Sequence, residues 1–260
     1  MTIITLTSDW GIKDHYAGMV KGAILSKIPN AVVVDISHSV VPYHLNSASF
    51  VLKNTFASFP KNTIHIVDIT SDATIEMPHV VVDYEGYYFI GTDNGIFSLI
   101  FDHAPEGVFE IEMMQDTDTF TFSAHDLFIK VAEHIAAGKP LNEIGPKRDK
   151  LTQRISLNPV TSEDLIKGHA IYIDSYENVF TNITREMFTK VGKGRKFSIS
   201  FGASRYEVDA ISQSYKDVSE GEILALFNST GHLEIAVGMG NAAGLLGLNL
   251  DDSIRVEFKK

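Results

Sequence analysis

The sequence predicts two domains: an α/β N-terminal domain with a mainly parallel sheet, then a smaller all-β C-terminal domain, a barrel or a sandwich. Three observations carry this. Strand-like and helix-like segments alternate through the first half, the pattern of a parallel sheet with helices on both faces. After Pro146 the texture turns polar and irregular, and Pro159 breaks any helix there. From Gly168 onward strands follow one another without long helices between them.

In chain order, Ile3–Thr7 reads as a strand ending in an acidic turn. Asp14 stands where a helix cap is expected, ahead of Tyr16, Met19, Val20, Ile24 and Ile28 at helical spacing. Ala31–Ile36 is a β-branched run, followed by a loop around Pro42 and a helix from about Ser47 to Ser58. Thr63–Ile69 is a strand, and Val80–Tyr84 with Tyr87–Gly91 forms a hairpin around Glu85 and Gly86. Asp126–Ala137 reads as a helix ended by Gly138 and Pro140, with Leu127, Phe128, Val131, Ala132 and Ile135 inward. The later strands are His169–Ile173, Lys196–Phe201, Ile223–Asn228, Leu233–Val237 and Ile254–Phe258. The domains are therefore placed at residues 1–155 and 167–260, with a linker at 156–166.

Bulk composition narrows the function classes. A length of 260 residues suffices for two domains with real cores, and 44% hydrophobic with 21% charged residues is ordinary for a soluble chain. The net charge is −11 with scattered basic residues, so the basic stripe that nucleic-acid binding needs is missing and no nucleic-acid partner is expected. Apolar runs such as Ala31–Val34 are too short to span a bilayer, so no membrane partner is expected. The start MTIITLTSDW has neither a basic n-region nor a long apolar h-region, which predicts no export signal and a cytoplasmic location. The absence of cysteine excludes disulfides and thiolate metal sites.

Ligands of parallel sheets sit at the carboxyl ends of the strands. Asp9 follows the first predicted strand, Asp35 and His38 the second, and Asp68 the third. Carboxylates there can accept both hydroxyls of a ribose, although loop capping is the commoner task of such residues. No GxGxxG follows the first strand, there is no Walker A sequence, and Ser123 lies in no GxSxG elbow. His65 and His79 lack metal-ligand spacing and read as structural or surface residues, and His134, four residues from Lys130, reads as solvated. No metal site is expected.

Five blocks together resemble the S-adenosyl-L-methionine hydroxide adenosyltransferase and adenosyl halogenase family: TSDWGIKDHYAGMVKG (Thr7–Gly22), DISHSVVPYHLNSASFVL (Asp35–Leu52), GTDNGIFSLI (Gly91–Ile100), IDSYENVFTNI (Ile173–Ile183) and NSTGHLEIAVGMGNAA (Asn228–Ala243). The resemblance implies a barrel-like second domain, a homotrimer, and a ligand held between one subunit's N-terminal domain and its neighbour's C-terminal domain. It implies attack of a nucleophile on C5′ of the adenosyl group with methionine leaving, which requires alignment and removal of water. S-adenosyl-L-methionine is then substrate or ligand, and no cofactor is implied. By motif, Asp9 holds the ribose, Tyr43 forms an aromatic wall and Asn94 lies in the matching turn. Asp174 and Ser229 meet the methionine amino-acid group, Asn178 meets the adenine edge, and Tyr176 or Tyr215 supplies a stacking ring. Ser71, Glu234 and Met239 complete the substrate-binding set.

The catalytic wall departs from that family. Its hydrolases carry an Asp–Arg–His set, the aspartate opening a segment like DPGVGTxRRP and the histidine preceding GRD. Here the first segment reads DITSDATIEMP (Asp68–Pro78) and the second SAHD (Ser123–Asp126), so the aspartate persists without its arginine, and serine replaces the histidine. No arginine precedes Arg148. The expected reaction is hydrolysis to adenosine and L-methionine, with Asp68 as base helped by Ser123 and His125. The alternative is a weak or inactive nucleoside-binding member. Halogenation ranks below both, because the Asp68 carboxylate repels a halide in a low-dielectric pocket.

Overall fold

The computed structural model describes residues 1–116, 122–155, 158–202 and 206–259. The chain divides into two compact units, Met1–Ile155 and Ser156–Lys260.

The first unit is a six-stranded sheet between two helical layers. Its strands are β1 (Thr2–Ser8), β2 (Ala31–Ser37), β3 (Ile64–Asp68), β4 (His79–Tyr84), β5 (Tyr87–Thr92) and β6 (Gly107–Glu110), in the order β2-β1-β3-β5-β4-β6. The first four in that order are parallel, while β4 pairs antiparallel with both β5 and β6. Alternation along the strands sends Ile4, Leu6, Ile64, Ile66 and Val81 to one face, under α1 (Tyr16–Lys27) and α4 (Leu127–Ala136). Val67, Val80, Val82 and Phe89 turn to the other, under α2 (Leu45–Lys53) and α3 (Ile96–Ile100). Each such fully buried side chain contributes about 1.5–3 kcal/mol of transfer free energy.

Strand order places the site. From β1 the chain crosses to β2 on one side, then returns past β1 to β3 on the other, so a topological switch point lies between β1 and β3. At its carboxyl edge Ser8 pairs in register with Asp68. Beside it the approach of β5 is close enough to need glycine: a Cβ on Gly91 would lie 2.7 Å from the Val67 carbonyl oxygen.

Several elements differ from expectation. The N-cap of α1 is His15, not Asp14, and neither Tyr16 nor Met19 is buried: only Val20 and Ile24 of that helix are. Helix α2 begins two residues earlier, where the His44 ring accepts the Ser47 N–H, and ends at Lys53, leaving Phe56–Ser58 as a separate 3-10 turn. His134 is buried rather than solvated, its Nε2 2.9 Å from the Pro140 carbonyl oxygen, which it meets where the chain turns after α4.

The second unit contains β7 (Val160–Thr161), β8 (Leu165–Ile173), β9 (Val179–Thr184), β10 (Phe197–Phe201), β11 (Tyr206–Val208), β12 (Ile223–Phe227), β13 (His232–Val237) and β14 (Ser253–Phe258). They form one antiparallel sheet in the order β11-β10-β14-β8-β9-β13-β12, with β7 on β8. A bridge from Ser212 to Leu226 brings its two edges together, so the sheet is a nearly closed barrel around Ile166, Ile199, Phe201, Leu233, Ile235 and Ile254. The barrel is not free of helix. Thr184 accepts the Met187 N–H and caps α5 (Arg185–Gly192), and α6 (Ala242–Leu246) follows β13.

Candidate active site

In the first unit the ends of β1 and β3 bring two carboxylates together. Asp9 follows β1, and its Oδ2 accepts the Tyr43 backbone N–H at 2.9 Å. That bond holds Tyr43 at φ 64, a left-handed conformation unfavourable for a bulky residue, and the residue is 79% exposed. Asp68, the last residue of β3, is 2% exposed. Its pKa is raised to about 6, chiefly by burial. Ser71 and the Trp10 indole approach the carboxylate and pull the pKa back, while Asp9 and Asp72 push it up. Oδ1 of Asp68 is buried with no hydrogen-bond partner among the described residues.

The remaining first-unit residues predicted for the site have distinct surroundings. Asn94 is buried, donates to the Ile69 and Thr70 carbonyls at 2.9 and 3.1 Å, and accepts the Ile96 N–H. It thereby clamps the turn after Asp68, in which Thr70 sits at φ 50. The carbonyl of Ser71 accepts from Thr92 and contacts His79, both at 2.8 Å. Ser123 is buried at the approach to α4, where its carbonyl accepts the Phe128 N–H. The His125 ring stacks on Phe122, which in turn meets Trp10 edge-on at 5.2 Å. Among the described residues neither Ser123 nor His125 hydrogen-bonds to Asp68; the His125 ring is linked towards Trp10 through Phe122.

Among the described residues no cationic side chain acts on Asp68. The first unit has two arginines, and both are placed elsewhere. Arg148 pairs with Glu110 at 2.6 Å and lies 3.9 Å from Asp93, while Arg154 donates to the Asn94 carbonyl at 3.2 Å. Among the described residues no group of histidine, aspartate and glutamate has the arrangement of a metal site.

In the second unit the predicted residues gather at the β8–β9 turn and beside β13. Asp174 Oδ1 accepts the backbone N–H groups of Tyr176 and Asn178, both at 2.9 Å, which shapes the turn and leaves Tyr176 exposed. Asn178 is buried. Glu234 on β13 is fully buried, accepting the Tyr215 hydroxyl at 2.7 Å and the Asn228 side-chain amide at 3.1 Å. Burial raises its pKa against those two bonds, and Asp174 adds to the rise. The Tyr215 phenol is likewise pushed well above its ordinary value by burial and by Glu234. Ser229 and Met239 are exposed, Met239 at φ 53.

Sequence reasoning missed Trp10 and Asn228. Both lie inside the matched blocks, and Trp10 is the only tryptophan in the chain, a signal that was visible. His38 was noted only as a strand-end residue.

An α/β unit with paired acids at its switch point, joined in sequence to a β-barrel unit, is the class of protein this fold defines. Comparison with known families agrees. Residues 4–145 match the SAM hydroxide adenosyltransferase N-terminal domain and residues 168–255 match the C-terminal domain of the same name. The chain belongs to the SAM hydroxide adenosyltransferase family. It is 26% identical to an (R)-S-adenosyl-L-methionine hydrolase of Methanocaldococcus jannaschii, over 99% of this chain and 97% of that protein. It is 28% identical to a fluorinase of Nocardia brasiliensis, over 99% and 96%. Among solved structures, an uncharacterized conserved protein from Thermotoga maritima superposes with a TM-score of 0.88 at 30% identity, over 98% and 99% of the two chains. No helix among the described residues is long and apolar enough to cross a membrane.

Proposed function

We propose that this protein hydrolyses S-adenosyl-L-methionine to adenosine and L-methionine, with Asp68 as the general base. One observation carries the reading: a buried carboxylate with an unpartnered oxygen at the switch point of the sheet, its pKa raised to about 6. A base serves best when its pKa lies near the working pH, and this one is ionised but basic at neutrality. Water gives a proton to Asp68, its oxygen bonds to C5′, and the C5′–S bond breaks with its electron pair moving to sulfur. Methionine leaves as a neutral thioether, and the proton passes from Asp68 to solvent. In this reading Asp9 holds the ribose diol, Tyr43 walls the substrate, and Asp174, Asn178 and Ser229 take the methionine and adenine ends. The proposed working assembly is a homotrimer, tested by sedimentation.

The test is incubation with S-adenosyl-L-methionine, with and without chloride, followed by chromatography of nucleosides. Adenosine formed by the wild type and lost in Asp68→Ala is the expected outcome. A chlorinated nucleoside in chloride buffer would overturn it. The second reading, binding without turnover, is favoured by the cation missing at Asp68, and tight binding with no product would establish it.

A further inference from the structure

A second chain of polar groups approaches the same strand ends from β2. Ser8 Oγ lies 2.6 Å from His38 Nδ1, and His38 Nε2 lies 3.1 Å from Asp35 Oδ1. The Ser8–His38 contact is a hydrogen bond, whereas Nε2 is buried beside the Asp35 carboxylate without hydrogen-bond geometry. Asp35 is fixed in turn by Lys21 of α1 at 2.5 Å, and its pKa is lowered despite some burial. Ser8 and His38 are buried. The His38 carbonyl also accepts the Gly11 N–H at 2.7 Å, tying together the loops after β1 and β2.

This arrangement has the composition of a Ser–His–Asp triad, but a nucleophilic role does not fit, since Ser8 is fully buried in its strand. What the chain presents to Trp10 is a ring plane. The Trp10 indole stacks on His38 with centroids 5.5 Å apart and planes 15° apart, and meets Phe122 edge-on. Trp10 is also one of the two side chains that bring hydrogen-bonding character to Asp68.

We propose that His38 is a positioning residue: held by the Ser8 hydroxyl and faced by the Asp35 carboxylate, its ring is the platform that holds the Trp10 indole beside Asp68. The role of Asp68 as base belongs to the hydrolase reading, but the positioning itself is measurable without turnover. Loosening the platform withdraws the indole donor, and a carboxylate that loses a donor becomes more basic. The charged and titratable groups facing these two residues are Asp35 and Lys21 on the His38 side, and Asp9, Asp72, Ser71 and Trp10 around Asp68.

Trp10, as the sole tryptophan, reports on this directly. Its fluorescence is titrated between pH 4 and 9 in the full chain, ranges chosen to span the Asp68 transition near 6. The wild type is expected to show a transition that Asp68→Asn abolishes. His38→Leu is expected to move the midpoint upward by about one pH unit, a roughly tenfold change in the ionisation constant. Asp35→Asn, at the half-exposed end of the chain, is expected to move it less in the same direction and serves if His38→Leu does not fold. Where adenosine is formed, the acid limb of kcat moves with the fluorescence midpoint while KM changes little. A folded His38→Leu or Asp35→Asn with an unmoved midpoint overturns the positioning role and leaves the hydrolase reading intact. A shifted midpoint with no adenosine from any variant supports the positioning and overturns the hydrolase reading.

Discussion

Asp68 in the first unit and Glu234 in the second are both buried acids, and burial raises the pKa of each from its ordinary value. Their surroundings differ. Glu234 has a partner on each oxygen, the Tyr215 hydroxyl and the Asn228 amide. Asp68 has a buried oxygen with none. A satisfied buried acid is architecture, holding a turn and a strand together, whereas an unsatisfied one is a cost that folding alone does not explain. The same direction of shift thus accompanies two different roles, and the hydrogen-bond inventory separates them where the pKa does not.

The largest expected effect tests this separation at the level of chemistry. Asp68→Ala is expected to lower adenosine formation by about 10²–10⁴-fold, the usual contribution of a general base. In the wild type the rate is expected to rise with pH through about 6, as Asp68 ionises. Glu234→Gln keeps both neighbours partnered and is expected to leave that pH limb where it is. If the limb moved with Glu234→Gln and persisted in Asp68→Asn, the two acids would have to exchange roles.

The next effect is on stability and has the opposite sign to most core substitutions. The unfolded carboxyl ionises near 3.8 and the folded one near 6. Between these values the folded state binds more protons, so stability falls as pH rises from about 4 to 6 and stays lower above. The shift of about two units corresponds to roughly 3 kcal/mol at most. Asp68→Asn removes the ionisation, so it is expected to raise Tm at pH 8 and to give no gain below pH 4. Thermal unfolding at the two pH values checks this, and a loss of Tm at pH 8 would mean that the carboxylate is held by bonds rather than strained by burial.

For Glu234 the expectation reverses. Glu234→Leu leaves the Tyr215 hydroxyl and the Asn228 amide without their acceptor, at a cost of about 1–3 kcal/mol. Urea denaturation is the measurement, and an unchanged midpoint would show that water replaces the carboxylate at both groups.

How much of this was legible follows from the range over which each feature is determined. The strands at Ile64–Asp68 and Thr2–Ser8 are local, β-branched runs, and they were read almost to the residue. Helix α5, REMFTKVG, escaped because it is only eight residues long, two turns whose apolar face of Met187, Phe188 and Val191 packs on the barrel core. The short α3 was hidden in a block that reads as a turn. At the site, the loss of arginine near Asp68 was plain in the composition. The unpartnered Oδ1 was not, because it depends on where Ser71 and Trp10 fall after β1 and β3 come into register. His134 failed for the same reason: helical spacing suggested solvent, but a turn six residues later supplies its partner.

The smallest effect concerns the acids that hold backbone rather than being held. Asp9 takes one N–H, from Tyr43, and Asp174 takes two, from Tyr176 and Asn178. An ionised carboxylate has about four acceptor sites, so Asp9 keeps capacity for the ribose diol proposed above even while it fixes Tyr43. Asp9→Ala removes one backbone bond in a loop, at a cost of about 0.5–1.5 kcal/mol in stability. Its effect on ligand should be larger: hydrogen bonds to charged groups are worth about 1.5–3 kcal/mol, a roughly tenfold to hundredfold loss of affinity for adenosine by calorimetry. Asp174→Ala is expected to cost more stability than Asp9→Ala, since two N–H groups lose their acceptor. A small stability loss with unchanged adenosine affinity in Asp9→Ala would make Asp9 a loop clamp like Asn94, and would move the ribose away from the end of β1.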